Sequence, residues 1–113
     1  MDKLVDEKED EIMILIMRLI NNLLEGEMAT DLILSTPVLA RLNTHLKSHN
    51  WHIRKLAAEN LGSISYNVYG KTQTIQAQSI PPLCEMLSDD ITEVRASALR
   101  ALASLAQLKE GRI

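Results

Sequence analysis

Apolar residues return along this chain at intervals of three and four, the spacing that lines one face of an α-helix. Over residues 8–24 the stripe is Ile12, Leu15 or Ile16, Leu19, Ile20, Leu23 and Leu24, which predicts a helix with those side chains facing inward. Carboxylates crowd its first turns, where they oppose the positive end of the helix dipole, and Gly26 stands where a C-terminal cap is expected. Residues 27–34 read as a short helix or turn with Met28 and Leu32 on one side. Thr36 then reads as an N-cap and Pro37 as a first helical residue, where a missing N–H costs nothing. From that helix Val38, Leu39, Leu42 and Leu46 point inward, Ser48-His49-Asn50 ends it, and a long helix spans 51–65.

After a break at 66–70 the same grammar runs again. Residues 71–78 form the short helix, and Ser79-Ile80-Pro81-Pro82 marks the restart. Ile80, Leu83 and Leu87 take the places of Leu39, Leu42 and Leu46, Ser88-Asp89-Asp90 is a turn and N-cap, and 91–108 is the long helix. The two long helices align at an offset of 41 residues: Ile53 with Val94, Arg54 with Arg95, Ala57 with Ala98, Leu61 with Leu102, Ile64 with Leu105. Helical self-similarity at a period of roughly 40–47 residues marks a HEAT or armadillo array, and a short, medium and long helix per unit favours the three-helix armadillo form. The expected fold is therefore an all-α, armadillo-type solenoid of about two full three-helix repeats plus a leading helix. Residues 8–24 are the last helix of a preceding unit, 27–68 and 69–110 are repeats, and 111–113 start another, Glu110-Gly111-Arg112-Ile113 echoing Tyr69-Gly70-Lys71. Leu102, Leu105 and Leu108 leave the last long helix apolar, so the expectation is a piece of a longer solenoid or a short protein held by a partner.

Composition sharpens this picture. The chain is 46% apolar but only 3% aromatic, without Phe, and such an aliphatic core suits closely packed helices better than a sheet. A net charge of −3 advertises neither a nucleic-acid nor an anionic-membrane surface. A lone cysteine, Cys84, rules out an internal disulfide framework and fits a reducing compartment. The acidic start has the wrong sign for a targeting peptide, and the longest apolar run, 12–17, is far below the ~20 residues of a membrane span. The expectation is a soluble, cytoplasmic protein.

Candidate chemistry is sparse. His45 and His49 would share a helical face, but the turn at 48–50 separates them, and no Cys or carboxylate completes a zinc-like set with His52. Arg41, Lys47, Arg54 and Lys55 make this the most basic part of the chain; with Trp51 as its only stacking aromatic it suits an acidic protein neighbour better than nucleic acid. Trp51 either plugs the seam between repeats or anchors a partner. Arg54 and Arg95, at one phase of successive long helices, either brace a neighbouring turn or form a ladder of partner contacts. Met13, Met17, Met28 and Met86 read as core gap-fillers, and Cys84 has no histidine near it in sequence. With no phosphate loop, serine elbow or paired carboxylates, neither an enzyme nor a cofactor, metal or small-molecule substrate is expected.

Ser79-Ile80-Pro81-Pro82-Leu83-Cys84-Glu85-Met86-Leu87-Ser88-Asp89, followed by Val94-Arg95-Ala96-Ser97-Ala98-Leu99-Arg100-Ala101-Leu102, resembles the armadillo consensus. The resemblance covers 27–113 and implies a binding scaffold whose concave face is lined by the long helices. The nuclear-import branch of that family carries a Trp and an Asn on successive turns of each long helix. Here those phases hold Glu59 and Ser63, then Arg100 and Ser104, so the peptide-clamping ladder is missing. The order of features is also similar to the radial spoke head protein 14 family of ciliary axonemes: an acidic run before an apolar helix, then Ile53-Arg54-Lys55-Leu56-Ala57-Ala58, Gly70-Lys71 and residues 80–87. That likeness implies a non-catalytic cytoskeletal subunit of the axoneme whose partners are other radial spoke proteins. The alternative is a peptide-binding adaptor or transport receptor using the concave groove. Under either reading the residues expected to contact a partner are Trp51, Arg54, Glu59, Ser63, Arg95 and Arg100.

Overall fold

A computed structural model describes residues 3–24 and 27–107, with side chains described for 8–24 and 31–107. Seven α-helices follow one another: α1 (Lys3–Leu23), α2 (Glu27–Leu34), α3 (Val38–His45), α4 (Trp51–Ile64), α5 (Val68–Gln76), α6 (Ile80–Glu85) and α7 (Thr92–Ala106). A 3₁₀ turn over Met86–Ser88 continues α6, and no strand occurs among the described residues. The expected α-solenoid is thus present, with α4 and α7 each preceded by two shorter helices. Gly26, Leu108 and the restart at 111–113 lie outside the described residues, as does the side chain of Met28.

Local chemistry sets the helix ends, in several places one or more residues from where the sequence suggested. Asn50 caps α4 by accepting the His52 N–H at 2.9 Å. Asn67 caps α5 by accepting from Gly70 N at 3.0 Å, so that helix starts at Val68 and not at Lys71. Thr36 is not an N-cap; its hydroxyl donates to the Ile33 carbonyl at 2.6 Å, closing α2, and Pro37 holds the cap position without a side-chain bond. Asp89 likewise stands two residues before the α7 cap, Ile91, whose N–H it accepts at 3.0 Å. Past α5 the chain turns through Gln78 at φ 64°, with Gln78 N bonded to Ile75 O and Ser79 N to Thr74 O, the 5→2 and 6→1 pattern of a Schellman ending.

The long helices α1, α4 and α7 stack in sequence, α4 lying between the other two, while α3 packs on α4 and α6 on α7. Small residues permit the closest approach: a Cβ built on Gly62 would lie 3.3 Å from Ala101 Cα. The core is aliphatic, as composition suggests, and its repeat phases match. Ile53, Ala57, Leu61 and Ile64 are buried in α4, as are Val94, Ala98 and Leu105 in α7, with Leu102 partly buried. Leu83 is buried, but Ile80 and Leu87 are exposed; Met86 fills the core beside Leu83 instead.

The main departure is α1. Among its described side chains Met17 is buried, as is Leu24 just past its end, flanked by partly buried Met13, Ile14 and Ile20. The stripe expected to face inward, Ile12, Leu15, Ile16, Leu19 and Leu23, is 44–64% exposed. The reason lies in the repeat. At an offset of 41, Ile12, Ile16 and Leu23 correspond to Ile53, Ala57 and Ile64, which are no more than 2% exposed because a shorter helix covers α4 on that side. No described element covers α1 there.

Candidate functional site

The stacking of α1, α4 and α7 leaves a groove of about 540 Å³ along their shared surface. Its floor is made by Ala58, Gly62 and Ala101, the same small residues that bring α4 and α7 together. Polar groups rim it: Asn21 from α1, Glu59 and Ser63 from α4, Arg100 and Ser104 from α7, with Tyr66 just past the end of α4. Helical period explains the set, since Glu59, Ser63 and Tyr66 follow one another at three- and four-residue steps, as do Ser97, Arg100 and Ser104.

Charges of both signs meet here. Glu59 Oε1 accepts from Asn21 Nδ2 at 3.5 Å, a long bond joining α1 to α4, and its Oε2 lies 3.9 Å from Lys55 Nζ. Arg100 Nη2 donates to Ser97 Oγ at 3.4 Å. Asn21 Oδ1 is buried without a hydrogen-bond partner among the described residues. The groove thus presents one anionic and one cationic side chain, hydroxyls and an amide beside small floor residues.

Of the candidate contact residues, the fold brings Glu59, Ser63 and Arg100 to this groove and sends the other three elsewhere. Trp51 is half-buried against the core, its ring stacked on His52 at 3.8 Å. Arg54 and Arg95 brace turns. Arg54 Nη1 donates to Ser48 O at 2.9 Å and Arg95 Nη1 to Asp89 O at 2.6 Å, in each case the carbonyl six residues earlier. Asn21 and Tyr66 escaped sequence reasoning; Asn21 stands beside Asn22 after an apolar run, which was the available signal.

A second groove, about 340 Å³ and mostly apolar, runs between α1 and α3. Met13, Ile16, Met17 and Ile20 form one wall, Val38 and Leu42 the other, with Arg41 and His45 at the mouth. Burial, with a smaller push from the Arg41 charge, lowers the His45 pKa from its ordinary value. The three histidines go separate ways: His45 to this groove, His49 Nε2 to within 3.1 Å of Asp10 Oδ2, His52 onto Trp51. Among the described residues no group of three or more His, Cys, Asp or Glu could hold a metal ion, and no helix is long and apolar enough to cross a membrane.

A family model described as HEAT repeats matches residues 28–103. Among solved structures, the fold is similar to two engineered proteins determined by the Northeast Structural Genomics Consortium. One superposes with a TM-score of 0.82 at 24% identity, covering 86% of this chain and 41% of the other; the second gives 0.76 at 25% identity, with 79% and 37% covered. The chain thus spans about two fifths of the length of these engineered structures. No curated protein gives a significant match.

Proposed function

Because the chain belongs to the HEAT-repeat family, we propose that it is a non-catalytic scaffold subunit of a larger protein assembly. Helical repeats bury their apolar faces only against neighbours, and their extended surfaces serve protein–protein contact. The observation that carries the reading is the aliphatic face of α1, Ile12, Leu15, Ile16, Leu19 and Leu23, which is 44–64% exposed. Covering each such half-exposed side chain contributes about 1 kcal/mol. A contiguous face of this kind marks an interaction site and not an ordinary solvent surface.

The ciliary radial spoke is the assembly we favour, on the sequence likeness in residues 7–24, 42–48, 53–58, 70–71 and 80–87. The proposed location is accordingly the cytoskeleton of the axoneme. The test is fractionation of cilia from cells carrying the tagged protein. Retention with the axoneme after detergent and high-salt extraction is expected, and a freely soluble pool would overturn the axonemal assignment.

A second reading, a peptide-binding adaptor, is favoured by one feature: the groove that presents Glu59, Ser63 and Arg100 together, with Asn21 beside them. Under it Asn21→Ala and Arg100→Ala weaken capture of an extended peptide while leaving assembly incorporation unchanged. The missing Trp and Asn ladder argues against nuclear import as that adaptor's task.

A further inference from the structure

We propose that the groove between α1 and α3 is the docking site for a short amphipathic helix of a partner protein, with an aliphatic face like that of α3 and a carboxylate beside it. The proposal rests on the scaffold reading and concerns the edge of the exposed face where Ile16 lines the groove. Its basis is the internal repeat. Helix α3 packs on α4 and also reaches the start of the next short helix, where Asn43 Nδ2 donates to Ala77 O at 2.8 Å and accepts through Oδ1 from Ser79 Oγ at 2.6 Å. It therefore lies between α4 and the entry to α6. Moved back by the 41-residue offset, that place is the groove between α1 and the entry to α3.

The groove has the size and chemistry for such an occupant. Its 340 Å³ is about twice a cavity that accepts a benzene ring, room for a few aliphatic side chains. On α3 the apolar residues Val38 and Leu42, with Leu46 just past its end, are four apart and all buried. That spacing is how an amphipathic helix seats in an apolar groove. One difference sets the partner's charge. Where the internal junction has Pro82 and Met86, this groove has Arg41 and His45. Arg41 is exposed and has no ion-pair partner among the described residues, so a carboxylate on the incoming helix completes it.

The probe is a fluorescent peptide of residues 35–50 carrying Asn43→Glu, titrated into the whole chain and followed by anisotropy. Saturable binding is expected. Ile16→Glu in the protein should weaken it more than about tenfold, because a carboxylate then enters an apolar wall. Arg41→Glu, at an exposed position, should weaken it about threefold and flatten its salt dependence. Arg100→Ala, in the other groove, should leave it unchanged, and circular dichroism confirms that each variant folds. The proposal is overturned by absence of saturable binding to the wild-type chain, or by equal binding to Ile16→Glu. It is also overturned if sedimentation gives a dimer that Ile16→Glu dissociates, since a second copy would then cover the face. Failure of the peptide with the protein still retained in salt-extracted axonemes defeats this proposal and leaves the scaffold reading standing; peptide binding by a freely soluble protein supports this proposal and overturns only the axonemal assignment.

Discussion

Arg54 on α4 grips Asp89, in the turn before α7, with two hydrogen bonds: Nε to Oδ2 at 2.8 Å and Nη2 to Oδ1 at 3.1 Å. The same Asp89 Oδ1 accepts the Ile91 N–H, and the Asp89 carbonyl accepts from Arg95. One residue thus joins the long helix of one repeat to the entry of the next. The paired side chains are only 19% and 12% exposed, so water screens them weakly.

Removing the carboxylate should therefore be costly. Asp89→Ala is expected to lower unfolding free energy by about 2–3 kcal/mol, the range for a charged, partly buried hydrogen-bonded pair. Urea denaturation of Arg54→Ala, Asp89→Ala and the double variant measures the coupling, expected at about 1 kcal/mol or more. Strict additivity would mean that the bridge contributes nothing.

The pair also predicts an acid limb. Burial is the largest single influence on Asp89 and raises its pKa. Hydrogen bonds from Arg54 and the Ile91 N–H, with the charges of Arg54 and Arg95, together outweigh it, and the folded value falls below the ordinary 3.8. A folded pKa below the unfolded one means the contribution is complete above the unfolded value and is lost as pH falls through the folded one. The stability gap between wild type and Asp89→Ala should hold constant from neutral pH down to about 5 and close only below 3.8. A gap that closes near neutrality would refute the assignment.

Two glycines make opposite forecasts. A Cβ on Gly70 would stand 2.0 Å from the Ile64 carbonyl oxygen, so α5 must move away from the end of α4. Gly70→Ala should cost about 2–3 kcal/mol despite the better helix propensity of Ala, lowering Tm by about 10 °C. At Gly62 the nearest atom, Ala101 Cα, is 3.3 Å away, and propensity gain and crowding roughly cancel: Gly62→Ala should stay within about 1 kcal/mol of wild type. Thermal melts of the two variants decide it.

Asn60 is fully buried, and neither side-chain oxygen nor nitrogen has a partner among the described residues. Its repeat equivalents are Leu19 and Ala101. An unsatisfied buried amide costs about 1–3 kcal/mol, so Asn60→Leu, close in volume, should raise stability by about 1 kcal/mol. A fall in Tm would show that the amide is bonded in solution.

Gln78 adopts φ 64° at the end of α5, a conformation that favours glycine. Gln78→Gly should gain about 1 kcal/mol in chemical denaturation by relieving that left-handed strain. An unchanged or lower midpoint would place the cost in the more flexible unfolded chain instead.

Much of this protein is determined locally. The 41-residue offset, the helix types and the buried phases Ile53, Ala57, Leu61 and Ile64 follow from periodicity, because each records which side of one helix avoids water. Glu59, Ser63 and Arg100 share a groove for the same reason, their spacing being helical. Tertiary structure alone decided the rest. Residues 12–17 are apolar all round α1, so no period could say that Met17 is buried and Ile12, Leu15 and Ile16 are not; that depends on which neighbours lie beside the helix. Likewise, nothing local pairs Arg54 with a carboxylate 35 residues away, or takes Thr36 from a cap to a bond with Ile33. Long-range partners are set by how repeats stack, and stacking is a property of surfaces meeting, not of any one segment's pattern.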